Sequence, residues 1–177
     1  GHTWLTGYRD DIPWKCGIAW PDPTAGLHAA AATIVALLDR QCCGITGQTV
    51  EVAQVEAAIN MIGRHVVAAQ VDEPPQRLGN RRPGRAPQGV YKCQGDDRWI
   101  AISVVDDDCW AALCKVTGWS DLEELDAAQR WRDHDAIDAR LAAFTAQRND
   151  FSLMMELQAA GVPAGAVFDA ADVVNDP

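Results

Sequence analysis

The sequence predicts an α/β fold, or α+β for this segment in isolation, that is rich in helix and includes a small sheet or β-hairpin subdomain. An apolar, alanine-rich stretch from Ala29 to Leu38 is followed by Asp39-Arg40, a pattern typical of a buried helix. Two strand-like segments, Gly89–Cys93 and Arg98–Val104, are separated by a four-residue turn sequence, which favours a hairpin. The length of 177 residues fits one domain, or one compact domain with a subdomain.

The composition argues against several classes of protein. The chain carries 15 Lys and Arg against 25 Asp and Glu, a formal net charge of −10, so we expect no nucleic-acid partner. No apolar run reaches the roughly 18–20 residues of a membrane span and no targeting segment is visible, so we expect a cytoplasmic protein without a membrane partner. The six cysteines include no C-x-x-C pair, which predicts reduced thiols and no bound metal.

The first part of the chain is expected to contain two long helices. Asp22 has the chemistry of an N-cap and Pro23 that of the first helical position, and Gly44 marks the end of this helix. A short strand is predicted at residues 49–52 because polar and apolar residues alternate there. Apolar residues at three- and four-residue spacing then predict a second long helix over residues 55–71.

The second part opens with a loop over residues 72–88, which is rich in proline, glycine and arginine. After the hairpin we expect a helix that is capped by the aspartates at 106–108 and ends at Gly118. Two further helices are expected over residues 134–147 and 151–160, and Asp150 is expected to cap the second of them. A short strand near 162–167 and a last turn capped by Asp169 complete the predicted elements. The aspartate run is interpreted as a cap rather than a metal site.

Four arginines fall within nine residues of the predicted loop, at positions 77, 81, 82 and 85. An arginine cluster beside glycines can bind an anionic ligand. The alternative is a solvated loop whose arginines pair with acidic groups on the surface. The sequence leaves both interpretations open.

Asp22 is the residue on which the functional interpretation depends. An aspartate before proline at the start of a helix is most often only a cap. Here Pro, Thr, Ala and Gly follow it, which leaves space for a bulky ligand, and the start of a helix favours bound anions. A charged carboxylate in this place can attack a thioester without a general base.

Several ordered blocks of sequence carry a resemblance to a known family. The block at Asp22–Ala32 reads DPTAGLHAAAA, and the block at Thr46–Ala58 reads TGQTVEVAQVEAA. The other matching blocks are Ala36–Arg40, Gly79–Asn80, Ala86–Cys93, Trp99–Ile102 and Leu157–Gly165. Together they resemble the signature of class III CoA-transferases of the CaiB/BaiF type, which include formyl-CoA and carnitine CoA-transferase-like enzymes, and they cover nearly the whole chain from Asp22 onward.

The resemblance implies a covalent mechanism in which Asp22 is the catalytic residue. In the family the matching aspartate attacks an acyl-CoA to give a mixed anhydride, CoA thiolate returns to form an aspartyl-CoA thioester, and a second carboxylate accepts the CoA. Acyl-CoA and a small carboxylic acid would be the substrates, with no covalently bound cofactor. The other residues that the resemblance suggests are Gly26, Gly79, Asn80 and Gly84 for substrate binding, and Arg81 and Arg82 for contacts to coenzyme A.

The resemblance also implies a domain organisation and a partner. Residues 3–71 would be a partial large-domain segment with the catalytic helix, 72–88 a loop, 89–160 a small αβ domain, and 161–177 a return segment toward the large domain. Family members are roughly twice as long and form interlocked dimers. We therefore expect a partial chain that forms a homo-oligomer, a dimer in the first instance, or that binds a partner chain supplying the missing half.

Two alternatives to a CoA-transferase remain at the level of sequence. The first is a truncated, non-catalytic module that binds a small ligand or a protein. The second is an acyl-CoA racemase-like enzyme, which would need a histidine well upstream of its aspartate as a second base. His28 projects about 240° around the helix from Asp22, so it is expected to serve packing rather than catalysis.

Overall fold

The computed structural model describes residues 1–71 and 76–175, so residues 72–75 of the predicted loop and residues 176–177 lie outside it. The elements in chain order are α1 (His2–Leu5), α2 (Pro21–Cys43), α3 (Gln54–Met61), α4 (Gly63–Val71), β1 (Gln88–Lys92), β2 (Trp99–Ser103), α5 (Asp107–Thr117), α6 (Ala127–Arg132), α7 (His134–Thr145), α8 (Asp150–Ala159), β3 (Ala164–Ala166) and α9 (Ala170–Asn175). They form two compact units, unit 1 (Gly1–Gly79) and unit 2 (Asn80–Pro177). The helix-rich fold with a small sheet confirms the predicted fold class.

The long helix α2 begins one residue before Asp22. Trp20 occupies the N-cap without a side-chain hydrogen bond and Pro21 is the first helical residue, so the prediction that Asp22 caps the helix is wrong. Pro23 is tolerated two residues further on because N–H groups of the first turn have no acceptor within the helix. The predicted end is confirmed, since Gly44 follows the helix in the left-handed conformation with φ 70°.

Two other predictions for unit 1 are wrong. The predicted second helix is two helices, because the backbone at Ile62 leaves the helical region with φ −113° and Gly63, a weak helix former, follows it. Residues 49–52 form no strand. An alternating pattern becomes a strand only where a neighbouring strand satisfies its backbone groups, and the described sheet contains β1, β2 and β3 alone.

Unit 1 buries mainly small side chains, with Ile62 as a large exception, and leaves many large ones exposed. Helix α2 packs against α3, where Ala57 and Ala58 are buried, and Ala25 is the buried residue of α2 itself. The aliphatic residues of α2 that are more than half exposed are Leu27, Ile34, Val35, Leu37 and Leu38. Within the residues that the structure describes, α2 therefore presents a broad apolar surface to solvent.

Unit 2 is built on a three-stranded antiparallel sheet in the order β1-β2-β3. The predicted hairpin is confirmed, with Val90 opposite Ala101, and β3 places Gly165 on the other side of Ala101. Side chains alternate between the two faces of a strand. Ile100 and Ile102 of β2 are buried on one face, whereas Ala101 is exposed on the other.

The core of unit 2 lies between the closed face of this sheet and helices α5, α7 and α8. The large core side chains that are fully buried include Trp110, Leu113, Leu141, Leu153 and Leu157. Together they form one continuous apolar cluster, and burying each such side chain contributes about 1.5–3 kcal/mol. Unit 2 thus has a core of its own.

The helix caps of unit 2 agree with the sequence in part. Asp106 accepts a hydrogen bond from the Cys109 N–H at 2.8 Å and caps α5, as predicted. Helix α8 is capped by Asn149, which accepts from the Ser152 N–H at 2.9 Å, so the prediction that Asp150 is the cap is wrong. A cap needs an extended backbone, and Asn149 has one, whereas Asp150 is already helical.

A buried arginine connects α6 to the segment before β1. Arg130 is 2% exposed, and its guanidinium donates to the carbonyl oxygens of Ala86 at 3.1 Å and Leu125 at 2.7 Å. It also contacts the Asp107 carboxylate at 2.7 Å and lies over the Trp110 ring at 5.4 Å from the centroid. The positive charge of Arg130 is therefore compensated, and its guanidinium supplies the hydrogen-bond donors for the carbonyls of Ala86 and Leu125.

A buried histidine holds the start of β1. Nε2 of His134 accepts a hydrogen bond from the Gln88 N–H at 3.2 Å, so the neutral ring carries its hydrogen on Nδ1. That Nδ1 is buried and has no partner within the described residues. Burial lowers the pKa of His134, and the Asp138 carboxylate, 3.5 Å from Nε2, opposes this effect.

Three further features bear on the expectations from sequence. None of the helices in residues 1–71 and 76–175 combines the length and apolar character that crossing a bilayer requires. In the same residues no group of three or more His, Cys, Asp or Glu side chains could hold a metal ion. All six cysteines are free thiols, three of them buried in unit 2.

We expect Arg130→Met to lower the free energy of unfolding by roughly 2–4 kcal/mol, because the carbonyls of Ala86 and Leu125 lose their donors inside the protein. Urea denaturation followed by tryptophan fluorescence measures the change. Arg132→Met is the matched control, since this side chain on the same helix is 70% exposed. Equal stability of the two variants would contradict the assigned role of Arg130.

We expect the free energy of unfolding to fall as the pH is lowered from 7 to 5. The pKa of His134 is lowered in the folded state, so the unfolded chain takes up a proton that the folded chain resists. The stability that neutral His134 contributes is present above the unfolded pKa and is lost as the pH falls through the folded pKa. Denaturation curves at pH 7, 6 and 5 should show a shallower pH dependence for His134→Gln, and an unchanged slope would refute this explanation.

Candidate functional site

Asp22 is exposed near the start of α2 with one oxygen fixed and the other open. Nε2 of Gln54, the first residue of α3, donates a hydrogen bond to Oδ1 of Asp22 at 2.6 Å. Oδ2 makes no hydrogen bond or ion pair within the described residues. The carboxylate is thus oriented through one oxygen, and its second oxygen is accessible to a ligand.

The backbone around Asp22 offers no free donors for an anion, which corrects the expectation from sequence. Pro21 and Pro23 have no N–H group. The N–H groups of Asp22 and Thr24 donate to carbonyl oxygens that precede the helix, at 3.0 and 3.3 Å. The start of α2 therefore favours an anion only through the partial positive charge of the helix, and not through hydrogen bonds.

Gly26 lies one turn after Asp22 on the same side of α2. It is exposed, and a Cβ built at this position would meet no other atom within 4 Å. The side of the helix beside the carboxylate is therefore open. His28, in contrast, bonds through Nδ1 to the Thr24 carbonyl of its own helix at 2.8 Å, consistent with a structural role.

Gly79, the last residue of unit 1, is explained by packing. Its φ is 60°, and a Cβ there would lie 2.6 Å from Cδ1 of Tyr8, so a side chain would displace the Tyr8 ring. Its N–H donates to the Gly7 carbonyl at 3.1 Å. Packing against Tyr8 and Gly7 is sufficient to explain why residue 79 is a glycine. Its role in substrate binding stays a prediction.

Asn80 and Gly84 belong to a loop of unit 2 that forms a tight turn. The Arg85 N–H donates to the Arg82 carbonyl at 3.1 Å, and Gly84 within this turn has φ 82°. The carbonyl of Asn80 accepts from Nε2 of Gln88 at 2.8 Å. The loop is thus closed by contacts at both its base and its tip.

The loop arginines have different environments. Arg81 contacts the carboxylates of Asp135 at 2.6 Å and Asp138 at 2.5 Å, so its charge is satisfied by acidic groups of α7. In unit 1, Arg77 donates to backbone carbonyls, with Nη2 2.5 Å from that of Asp11. In the described part of the chain, the guanidinium groups of Arg82 and Arg85 have neither an acidic partner nor another hydrogen-bond acceptor.

Apart from Gly79, the predicted site residues therefore fall into two sets. Unit 1 brings Asp22 and Gly26 together and adds Gln54, whose role was missed although it stands in the quoted block Thr46–Ala58. A glutamine at the start of a helix carries no signal for contact with a residue 32 positions earlier. The members of the second set, in one loop of unit 2, are Asn80, Arg81, Arg82 and Gly84.

Comparison with known proteins finds CoA-transferases among the relatives in sequence and a CaiB/BaiF family protein among the similar structures. The chain is 29% identical to a succinyl-CoA–D-citramalate CoA-transferase of Chloroflexus aurantiacus over 98% of its own length and 44% of the relative. It is 26% identical to an acetyl-CoA:oxalate CoA-transferase of Acetobacter aceti, over 97% of the chain and 45% of the relative. A solved CaiB/BaiF family protein from Brucella suis superposes with a TM-score of 0.86 at 28% identity, over the whole chain and 47% of that protein.

The chain therefore spans less than half the length of these relatives. Over its own length, however, the match is continuous, since the family described as CoA-transferase family III matches residues 1–177. The structural superposition agrees with the sequence blocks that first suggested this family. The chain belongs to CoA-transferase family III.

Proposed function

We propose that this chain takes part in moving coenzyme A between an acyl-CoA and a small carboxylic acid, with Asp22 as the nucleophile. The observation that carries the proposal is the exposed Asp22 carboxylate, held through Oδ1 and open at Oδ2. Membership of CoA-transferase family III supports CoA transfer in general. The relatives act on different acids, among them D-citramalate and oxalate, so the acid is left unassigned.

In the proposed first step, Oδ2 of Asp22 attacks the thioester carbonyl carbon of an acyl-CoA. The C–S bond breaks, CoA leaves as a thiolate, and a mixed anhydride joins Asp22 to the acyl group. The thiolate then attacks the aspartyl carbonyl carbon, which releases the first carboxylate and leaves an aspartyl-CoA thioester. A second carboxylate attacks this thioester, the C–S bond breaks, and CoA leaves again as a thiolate while a second mixed anhydride forms. The thiolate then attacks the carbonyl carbon of the new acyl group, which forms the product acyl-CoA and releases the Asp22 carboxylate. Dividing one transfer into covalent steps is nucleophilic catalysis.

Gln54 is proposed to position the nucleophile. Its amide holds Oδ1 at 2.6 Å, which fixes the rotation of the carboxyl group and directs Oδ2 outward. As the carboxylate becomes an acyl group its negative charge is lost, so this hydrogen bond is strongest before attack. Gln54 therefore acts through orientation rather than through stabilisation of the acylated state.

The racemase and the non-catalytic binding module differ from the proposed transferase in what each needs near Asp22. A racemase would need a second base, and the described geometry of His28 gives no support for one. A non-catalytic binding module would bind coenzyme A but form no bond to Asp22. The proposed substrate contacts are Gly26, Gly79, Asn80 and Gly84. The proposed contacts to coenzyme A are Arg81 and Arg82. We assign the two units to the large and small domains of the family.

We also propose that the chain self-associates or binds a partner chain through α2. Five aliphatic side chains of this helix are more than half exposed, which is a large apolar surface for a protein free in water. Covering such a surface contributes about 25 cal/mol for each Å² removed from water. Exposed tryptophans at positions 4, 14 and 20 add to the apolar surface of unit 1.

Acylation of Asp22 is testable by trapping. After incubation with an acyl-CoA, hydroxylamine should release an acyl hydroxamate or convert Asp22 to its hydroxamate, and mass spectrometry of the peptide locates the change. Asp22→Asn should abolish the signal, while Asp39→Asn, at a half-buried aspartate on the same helix, should leave it intact. Binding of coenzyme A without trapping, in the chain or in its complex with a partner, would favour the non-catalytic module.

Gln54→Leu should slow formation of the trapped species by about threefold to tenfold and leave protein stability unchanged. A hydrogen bond to a charged group contributes roughly 1.5–3 kcal/mol, and we expect a smaller value at this exposed site. Rates are measured from quenched time courses with the same acyl-CoA. Gln48→Leu is the control for the same change of residue outside the contact. Equal rates for both variants would remove Gln54 from the proposed mechanism.

Self-association through α2 predicts a mass above that of a single chain in size-exclusion chromatography with light scattering. Replacing Ile34 and Leu38 with Glu should shift the chain to a monomer, because charged groups would then have to be buried in the interface. Val173→Glu and Val174→Glu, on an exposed part of α9, form the control. A monomer in the unchanged chain would leave only the partner-chain form of this proposal.

A further inference from the structure

A cavity at one end of the sheet in unit 2 is used by none of the preceding roles. Its volume is about 360 Å³, within the range of about 300–1,000 Å³ for small-molecule sites. Three segments line it: Arg98 precedes β2, residues 149–151 open α8, and Phe168 lies between β3 and α9, which contributes Asp172. Because β2 and β3 are antiparallel, the start of β2 and the end of β3 lie at the same end of the sheet. The cavity is therefore a consequence of the sheet topology.

Asp150 is a buried carboxylate that lines this cavity. Its side chain is 7% exposed, and its ion-pair partner is Arg98, with Nη1 3.8 Å from Oδ2 of Asp150. That distance is too long for a hydrogen bond. Within residues 1–71 and 76–175 no donor forms a hydrogen bond to this carboxylate. Buried polar atoms in proteins almost always have a hydrogen-bond partner, so Asp150 points to a ligand that carries donors.

The charged groups around the cavity are mostly acidic. Arg98 is already bonded to Asp172, with Nη1 at 2.5 Å and Nη2 at 3.4 Å from the two carboxylate oxygens. The pKa of Arg98 is raised, first by this hydrogen bond, and the charges of Asp150 and Asp169 act in the same direction. Three carboxylates thus surround one guanidinium. Partly buried charges are screened less by solvent and salt, so this excess of negative charge favours a cationic ligand.

Two phenylalanine rings form the apolar part of the wall. Phe151 and Phe168 stack with their centroids 6.5 Å apart and their planes at 21°. Phe151 is 45% exposed, although it directly follows the buried Asp150. The face of an aromatic ring attracts a cation that lies within about 6 Å of its centroid. A hard metal cation prefers oxygen ligands and would leave these rings unused, so the wall favours an organic cation.

We propose that this cavity binds a small primary amine with an apolar body. The ammonium group of the ligand donates to Asp150, and its body packs against Phe151 and Phe168. A primary ammonium group has three N–H donors, which supply the hydrogen bonds that Asp150 lacks. Amino acids carry the same group, but their carboxylate would face Asp150 and Asp172, so a simple amine fits better. The site is argued from unit 2 alone and does not depend on the proposed transfer of coenzyme A.

Calorimetric titration of the full chain at pH 7 tests the proposal, with phenethylamine as the probe. One matched ligand is phenethyl alcohol, which keeps the apolar body and loses the charge. The other is the N,N,N-trimethyl derivative of the amine, which keeps the charge and loses the N–H donors. We expect the amine to bind at least about tenfold more tightly than either, because hydrogen bonds between charged groups are the stronger ones.

Four results of these titrations would contradict the proposal. If phenethylamine does not bind, the cavity is not an amine site. Equal affinities of the amine and the alcohol would leave an apolar pocket without a role for Asp150. Equal affinities of the amine and its trimethyl derivative would leave a cation held by the rings alone. Tighter binding of L-phenylalanine than of phenethylamine would assign the cavity to an amino acid and overturn its assignment to a simple amine.

Two variants and a control locate the site. Asp150→Asn keeps the shape of the side chain and should weaken binding of phenethylamine by at least about tenfold, with binding of the alcohol unaffected. Asp108→Asn, an equal loss of charge at an exposed aspartate in the first turn of α5, should change neither. Phe151→Leu, at an exposed position, should weaken binding of phenethylamine by about threefold. A cooperative melting transition shows that each variant is folded, and if Asp150→Asn is unfolded, an unchanged affinity in Phe151→Leu would still refute the site.

Discussion

Burial of one face of the β1-β2-β3 sheet against α5, α7 and α8 is the constraint on which the rest of unit 2 depends. Once this face is closed, polar backbone groups at its margin lose access to water and need partners inside the protein. Arg130 supplies donors to the carbonyls of Ala86 and Leu125, and His134 accepts from the Gln88 N–H. The loop before β1 is consequently fixed by core contacts rather than by its own sequence. The position of the Arg82–Arg85 turn thus depends on contacts on both sides of it, at Arg81 and at Ala86.

In unit 1, by contrast, most side chains of the longest helix, α2, are exposed to solvent. The single residue of α2 that is buried is Ala25, and the contact with α3 is made through small side chains. This arrangement keeps Asp22 accessible and lets Gln54 reach its carboxylate. The exposed aliphatic residues of the same helix are consistent with a chain that spans less than half the length of its relatives. Accessibility of the carboxylate and exposure of the apolar surface are thus two consequences of one packing arrangement.

The two units make different contributions to the proposed chemistry. Unit 1 offers a charged carboxylate whose orientation depends on one amide, and unit 2 offers a loop whose two ends, at Arg81 and Ala86, are held by contacts to its helices. A nucleophile needs an open path to the reacting carbon, whereas a binding subsite gains from rigidity. The Gly79–Asn80 boundary therefore separates the unit that carries the exposed Asp22 from the unit that has a large apolar core.

The sequence by itself determined the family, the fold class, the end of α2 at Gly44, the hairpin and the Asp106 cap, because each depends on local chemistry that a few neighbouring residues specify. Only the tertiary structure decided that Trp20 rather than Asp22 precedes the helix, that residues 49–52 form no strand, and that Gln54 contacts Asp22. It also decided that Arg81 is paired with acids, whereas Arg82 and Arg85 have no acidic partner among the described residues. These outcomes depend on which residues, distant in sequence, lie close enough to satisfy a backbone group or a charge, and no local pattern carries that information.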